Sequence, residues 1–372
     1  MANTLNLGNG NWATKEDSLL GYNSENNNFK PLPFDFTRAS SATVVNKAGL
    51  IETVGSGEPR IDFSNDAKGA LLLEPQRTNY ILKSDDALST YQSQNGDVSD
   101  ASEPINGFNN SIQIEYDASG SLLYKRDFNP TIGTEYTISL FVQMNDNSEP
   151  INTVDANSGD FSLINNNSFA SASDIKTERL GSTNVYRVSS TRTATSTDNK
   201  FGILKYPTQS SKGFKVTGLQ LEVSYATSYI PTQGSTVTRL EDACINENLN
   251  VDYSGDYTLY LEHETLSITE YNQFQFRQET SISYIFRVGN SINVGSGLYS
   301  ATNTIGFNKF ALSVGSDGSY SFYKNGSLLS SGSGLNANLE TIKSDAVGMS
   351  IKDIKLYNTR LSNAELQALT TI

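Results

Sequence analysis

Apolar residues alternate with polar ones at a period of two in one short run after another, and almost nowhere recur at helical spacing. Tyr136, Ile138, Leu140, Val142 and Met144 form the longest such run, and Ile112, Ile114 and Tyr116 alternate with Gln113 and Glu115. Tyr257, Leu259 and Leu261 point one way while Tyr260, Glu262 and Glu264 point the other; Ile282, Tyr284, Phe286 and Val288 repeat the pattern, as do Phe310, Leu312 and Val314. Side chains of an extended strand leave opposite faces in turn, so each run buries one face and wets the other. Many short strands with turn signals between them predict an all-β chain of antiparallel sandwiches of the jelly-roll type. The one helix predicted, Asn363 to Leu369, opens with a capping box of Ser362 and Glu365 and is expected to cover a sheet edge.

A chain of 372 residues is too long for one small core. The punctuation divides it into an irregular N-terminal region (1–82), a first sandwich (83–245) and a second (246–372). In the first region Pro31 and Pro33 impose an extended stretch, the runs Val44–Val45 and Leu50–Ile51 form short hairpins, and Leu71–Leu73 is a brief strand. Gly218, between the runs Phe214–Val216 and Leu219–Val223, marks a bulge. Phe310 to Val314 pairs with Tyr320 and Phe322 across a Gly315–Gly318 turn, and Asn325–Gly326 is a type I′ hairpin signal. Apolar side chains are thinly spread through the first region. Ordering its backbone costs roughly 1–2 kcal/mol per residue, so it is expected to lean on another chain and to serve as an anchor. Trp12, Tyr22, Phe34 and Phe36 are the anchoring candidates, and residues 83–372 are expected to fold without it.

Charged residues are only 18% of the chain, and the net charge of −13 repels phosphate backbones and anionic lipid. No apolar run reaches the roughly 20 residues of a membrane helix. Neither nucleic-acid binding nor membrane insertion is expected. Met1 to Lys15 lacks the basic and apolar regions of a secretory signal, which predicts synthesis in a cytoplasm with no export route of the chain's own. A single cysteine, Cys244, excludes an internal disulfide and reads as a small buried hydrophobe. A single histidine, His263, argues against a Ser-His-Asp triad and against a histidine-rich metal centre.

Three stretches carry a family resemblance. FDFTRASSATVVNKAGLIETVGSGEPRIDF (Phe34 to Phe63) with GALLLEPQRTN (Gly69 to Asn79) resembles a segment of tailed-bacteriophage structural and fibre proteins. LQLEVSYATSYIPTQGSTVTR (Leu219 to Arg239) resembles the closing strand and exit of a carbohydrate-binding-like jelly roll. FALSVGSDGSYSFYKNGSLL and IKDIKLYNTRLSNAELQAL are similar to the C-terminus of the concanavalin A-like (laminin-G-type) lectin/glucanase fold. The resemblance implies a virion protein (fibre, spike or decoration) made in a bacterial host's cytoplasm. It also implies a homotrimer, contacts with other virion proteins, and modules suited to host-surface glycans. A purely structural scaffold and a polysaccharide depolymerase are the rival functions.

Sugars stack on exposed aromatic rings, and the one tryptophan lies outside both sandwiches, so Tyr91, Tyr124 and Tyr260 are the candidate platforms. For catalysis, the resemblance directs attention to paired carboxylates on one strand. Glu262 and Glu264 share a strand face, but the E-x-D-x-E spacing of related retaining glycosidases is missing, and they read as solvated acids. No catalytic residue is assigned. No cofactor is expected. Calcium is the one metal considered, with Asp317, Asp345 and Asp353 in or near loops, but none completes a D-x-[DN]-x-[DN]-G loop and no ligand is assigned.

Overall fold

A computed structural model of the chain describes residues 4–10, 12–15, 18–23, 28–154, 157–169, 175–246, 255–268, 273–278, 284–335, 338–345 and 348–372. The chain is almost wholly antiparallel β, with one short C-terminal helix. The predicted Glu135–Met144 strand forms the centre of a six-stranded sheet, flanked by Phe214–Val223 and Tyr186–Thr193. A five-stranded sheet faces it. Ile138, Leu140 and Val142 from one sheet and Leu123, Leu163 and Ile203 from the other are buried in the shared core. Phe214 and Val216 run straight into Leu219 and Leu221 as one strand. The break predicted at Gly218 is a register shift opposite Ser139/Phe141. Gly218 has φ +63°, and a Cβ there would lie 2.7 Å from the Phe141 ring, so only glycine fits.

In the second sandwich one layer runs Ser327–Gly332, Tyr320–Lys324, Gly306–Val314, Tyr257–Thr265 and Met349–Tyr357. The facing layer includes Tyr284–Val288, Phe274–Arg277, Thr341–Asp345 and Ala243–Asn246. Phe286 lies between the layers, its ring 5.6 Å from Phe310 and 5.4 Å from Phe322. Leu312 pairs with Phe322 as the sequence predicts, and Asn325 and Gly326 take φ of +50° and +79° to close the next hairpin. Ile282 lies outside the described residues. Cys244 is buried in this core as a thiol. The helix Asn363–Thr370 has the predicted capping box. It lies over the outer sheet face rather than an edge, burying Tyr260, Ala311 and Tyr323 under Leu366.

The N-terminal region completes the second sandwich. Thr4–Gly8 pairs with Met349–Tyr357 from Thr4↔Tyr357 to Gly8↔Asp353, and Ala70–Leu73 continues along the same edge through Leu71↔Ile351. On the other layer Asn28–Thr37 pairs with Ala243–Asn246. Leu7, Phe36, Leu71 and Leu73 are part of the second core. The first sandwich is therefore an insertion in the second. Chain leaves at Arg77–Asn79 and returns at Val237–Arg239, and these two segments pair with one another as a neck.

At the base of the neck sits a buried ionic network. Arg38 meets Asp242 at 3.0 Å, Arg60 meets Glu74 at 2.8 Å and also Asp242, and Arg239 lies 3.5 Å from Glu74. None of these side chains is more than 3% exposed. Burial alone would raise the Glu74 carboxyl. Arg239 and Arg60, with the Ser228 donors, override it and hold it down to about 2.

His263 is buried on the core face of its strand, its ring stacked on Phe310 and its Nε2 3.1 Å from the Thr265 hydroxyl. Burial, with a smaller push from Lys324, depresses its pKa to about 3. The native chain keeps the ring neutral while an unfolded chain takes up a proton below about 6.5. Stability from this residue is thus full above 6.5 and is lost as pH falls toward 3, on the order of 5 kcal/mol in all. Asp62, Glu222 and Asp353, raised by burial, act in the opposite sense, so the test is differential. His263→Phe should preserve the stack on Phe310 and flatten the loss between pH 6.5 and 3 in urea melts. A variant as acid-sensitive as the parent would contradict this account.

Candidate functional site

The outward face of the six-stranded sheet is unusual in carrying hydroxyls in rows. Alternation along Glu135–Met144 sends Thr137, Ser139 and Phe141 outward, and the register sets them beside Thr191, Ser189 and Arg187. The next strand adds Lys176 opposite Ser189 and Glu178 opposite Arg187. Of these, Phe141, Lys176, Glu178, Arg187, Ser189 and Thr191 floor a cleft with a volume of about 180 Å³. Its other walls are the 43–66 segment, the loop around Tyr225, and Glu264, Ile305, Ser350 and Lys352 of the second sandwich. The cleft therefore lies where the two sandwiches and the N-terminal region meet.

Local bonds fix these walls. The Glu222 carboxylate accepts from the Thr227 backbone N–H at 3.0 Å and from the Thr227 hydroxyl, which pins the loop carrying Tyr225. Arg77 lies over the Tyr225 ring at 5.1 Å. Gly348 faces the Tyr225 hydroxyl so closely that an added Cβ would stand 2.4 Å from it. Asp62 accepts from the Val45 N–H at 3.0 Å and from the Ser64 N–H at 2.9 Å. Burial raises its carboxyl, with those bonds opposing. Arg187 donates to the Ser139 hydroxyl at 2.9 Å and to the Thr227 carbonyl, with the Phe141 ring beneath it.

None of the three tyrosines expected as sugar platforms presents a free face. Tyr124 and Tyr260 are 4% and 3% exposed. Tyr260 faces away from the core, as its position in the strand dictates, but the C-terminal helix covers it. Tyr91 packs half-buried against the first core, and the Lys125 ammonium sits 4.0 Å from its ring centre. The anchor candidates also turn inward. Phe36 is in the second core, and Trp12 packs against that core while its indole N–H donates to the Gly69 carbonyl at 2.8 Å. Tyr22 and Phe34 lie on paired strands, and their side chains fall outside the described residues.

Of the two acids, Glu262 accepts from the Tyr260 hydroxyl at 2.7 Å, whereas Glu264 lines the cleft. Asp317 is exposed and binds Ser319, while Asp353 is buried on a strand 2.8 Å from Lys355, not in a loop. The Asp345 side chain lies outside the described residues. Among the described residues no group of three or more metal-ligating side chains gathers. The sequence reading missed the cleft residues Lys176, Glu178, Arg187 and Tyr225. The one available signal was the Thr/Ser row on the outward positions of two adjacent strands.

No protein-family model matches the chain, and no curated protein matches it. Several solved structures are similar in part. Domain 4 of AbnA, a GH43 extracellular arabinanase from Geobacillus stearothermophilus in complex with arabinotriose, is 15% identical over 40% of this chain and 82% of its own, with a TM-score of 0.30. The CBM40 of a Ruminococcus gnavus IT-sialidase is 15% identical over 32% and 85%, with a TM-score of 0.24. The CBM22-1–CBM22-2 tandem of Paenibacillus barcinonensis Xyn10C is 10% identical over 78% and 99%, with a TM-score of 0.28. Similarity at this level assigns neither a family nor a ligand.

Proposed function

We propose that this chain is a non-catalytic, glycan-binding structural protein of a tailed-phage particle, with the cleft between its sandwiches as the binding site. The observation that carries the binding half is the cleft itself. It is lined by hydroxyls, carboxylates and one half-buried tyrosine ring, the mixture of polar groups and an apolar face that a saccharide needs. The particle half rests on the sequence resemblance alone, as do a homotrimer and partners on the virion. Two rivals stay in view. Arg38, Arg60, Glu74 and Arg239 of the resembling segments are all spent on the internal neck, which favours pure scaffolding for those motifs. A depolymerase would need two carboxyl groups on one site. The pair Glu262 and Glu264 does not supply them, since Glu262 is held by Tyr260 and only Glu264 lines the cleft; Glu178 there is the one carboxylate the release of reducing ends would implicate beside it.

Binding per site is expected to be weak, with Kd around the millimolar range or about −4 kcal/mol, and useful only through several copies on one particle. Multimerised full-length protein on a glycan array and on host cells should give signal that Tyr225→Ala reduces. Silence on both would leave the scaffold ahead, and release of reducing ends would establish the enzyme.

A further inference from the structure

We infer that the cleft takes a saccharide free of acidic groups, gripped from both sandwiches by Glu178 and Glu264; this rests on the glycan reading above. The cations around the cleft are mostly committed. Arg187 is held by Ser139 and the Thr227 carbonyl. Arg179 donates to the carbonyls of Thr183 at 2.5 Å and Ser182 at 3.2 Å. Lys352 is paired with Asp66 at 3.4 Å. Glu178 and Glu264 differ. Each lines the cleft from a different sandwich, and neither carboxylate makes a hydrogen bond or ion pair with a described residue.

Open acceptors opposite committed donors select for a ligand that donates. Saccharide hydroxyls do so, and a hydroxyl donated to a carboxylate makes one of the stronger hydrogen bonds available. A uronate, sialate or sulfate would instead bring a third negative charge between two carboxylates, with Lys176 at the exposed rim as its main compensation. The two glutamates also come from separate sandwiches, so one ligand spans the junction.

The test uses multimerised full-length protein on an array holding neutral and acidic oligosaccharides, read at low and at high salt. Signal is expected on neutral glycans only and unchanged by salt, since no net ion pair forms. Glu178→Gln and Glu264→Gln should each weaken it by about tenfold, with melting temperatures like the parent's, while Lys212→Ala, at an exposed ion pair outside the cleft, leaves it unchanged. Signal on acidic glycans that fades with salt overturns the inference and leaves the glycan reading standing. Neutral-glycan signal indifferent to both glutamine variants does the same. Silence on every glycan overturns the glycan reading and this inference with it.

Discussion

Truncation to residues 83–372 is expected to abolish cooperative folding of the second sandwich, while residues 77–239 alone fold and melt as a unit. The cut removes the two N-terminal segments that pair along one side of Met349–Tyr357, the N-terminal strand on one side of Ala243–Asn246, and four side chains of the second core. Burying one large apolar side chain is worth roughly 1.5–3 kcal/mol, so Leu7, Phe36, Leu71 and Leu73 together supply about 6–12 kcal/mol. That rivals the whole stability of an ordinary domain, about 5–15 kcal/mol. The cut also strips Arg38, Arg60 and Glu74 from the network and exposes a hydrophobic strand edge. The insertion keeps its own core, from Ile81 to Leu221, and both strands of the neck. Calorimetry and hydrogen exchange on the two fragments decide the matter. A soluble 83–372 fragment with a single sharp transition would show that the N-terminal strands are dispensable.

The pairing of the N-terminal strands with the second sandwich runs against the expectation drawn from the sequence, for a physical reason. Period-two alternation shows which face of a strand is buried, so Glu135–Met144, Tyr257–Thr265 and the Asn325–Gly326 hairpin were legible. It does not show which strand lies alongside. The segment Thr4–Gly8 pairs with residues some 350 positions away, and nothing in TLNLG announces that partner. The first region seemed too poor in apolar residues for a core because it has none of its own. Leu7, Phe36, Leu71 and Leu73 serve a core built mainly by residues beyond 243. Tyr124 and Tyr260, expected to be exposed, are covered for a related reason. Tyr260 does face away from the core, but a helix a hundred residues later closes over it. The cleft was hidden because its walls come from both sandwiches and the N-terminal region, and only its Thr/Ser floor follows a local pattern.

The largest single-residue effect should come from Asp242. Its carboxylate holds Arg38 at 3.0 Å and also Arg60, stands 3.7 Å from Arg239, and accepts from the Glu74 backbone N–H at 2.8 Å. Asp242→Ala would leave three buried guanidiniums with Glu74 as the sole anion of the network. Removing one partner of a buried ionic group costs about 3–5 kcal/mol, because the remaining charges stay desolvated and unpaired. Asp242→Asn keeps the shape but not the charge and should fall between alanine and the parent. The damage should be local to the neck and the second sandwich, since the insertion's core does not include Asp242. Calorimetry of Asp242→Ala should therefore resolve two transitions, the lower from the second sandwich and the upper matching the 77–239 fragment. Acid should act on the same network. Glu74, held down to about 2, stabilises fully above the ordinary carboxylate range and loses its contribution as pH falls from about 4.3 toward 2. The exposed pair Lys212–Asp146, its side chains 39% and 47% exposed, is the control, and Asp146→Ala should leave the melt unchanged. An Asp242→Ala protein that melts in one transition at the parent's temperature would mean that backbone pairing at the neck, not the ionic network, joins the two sandwiches.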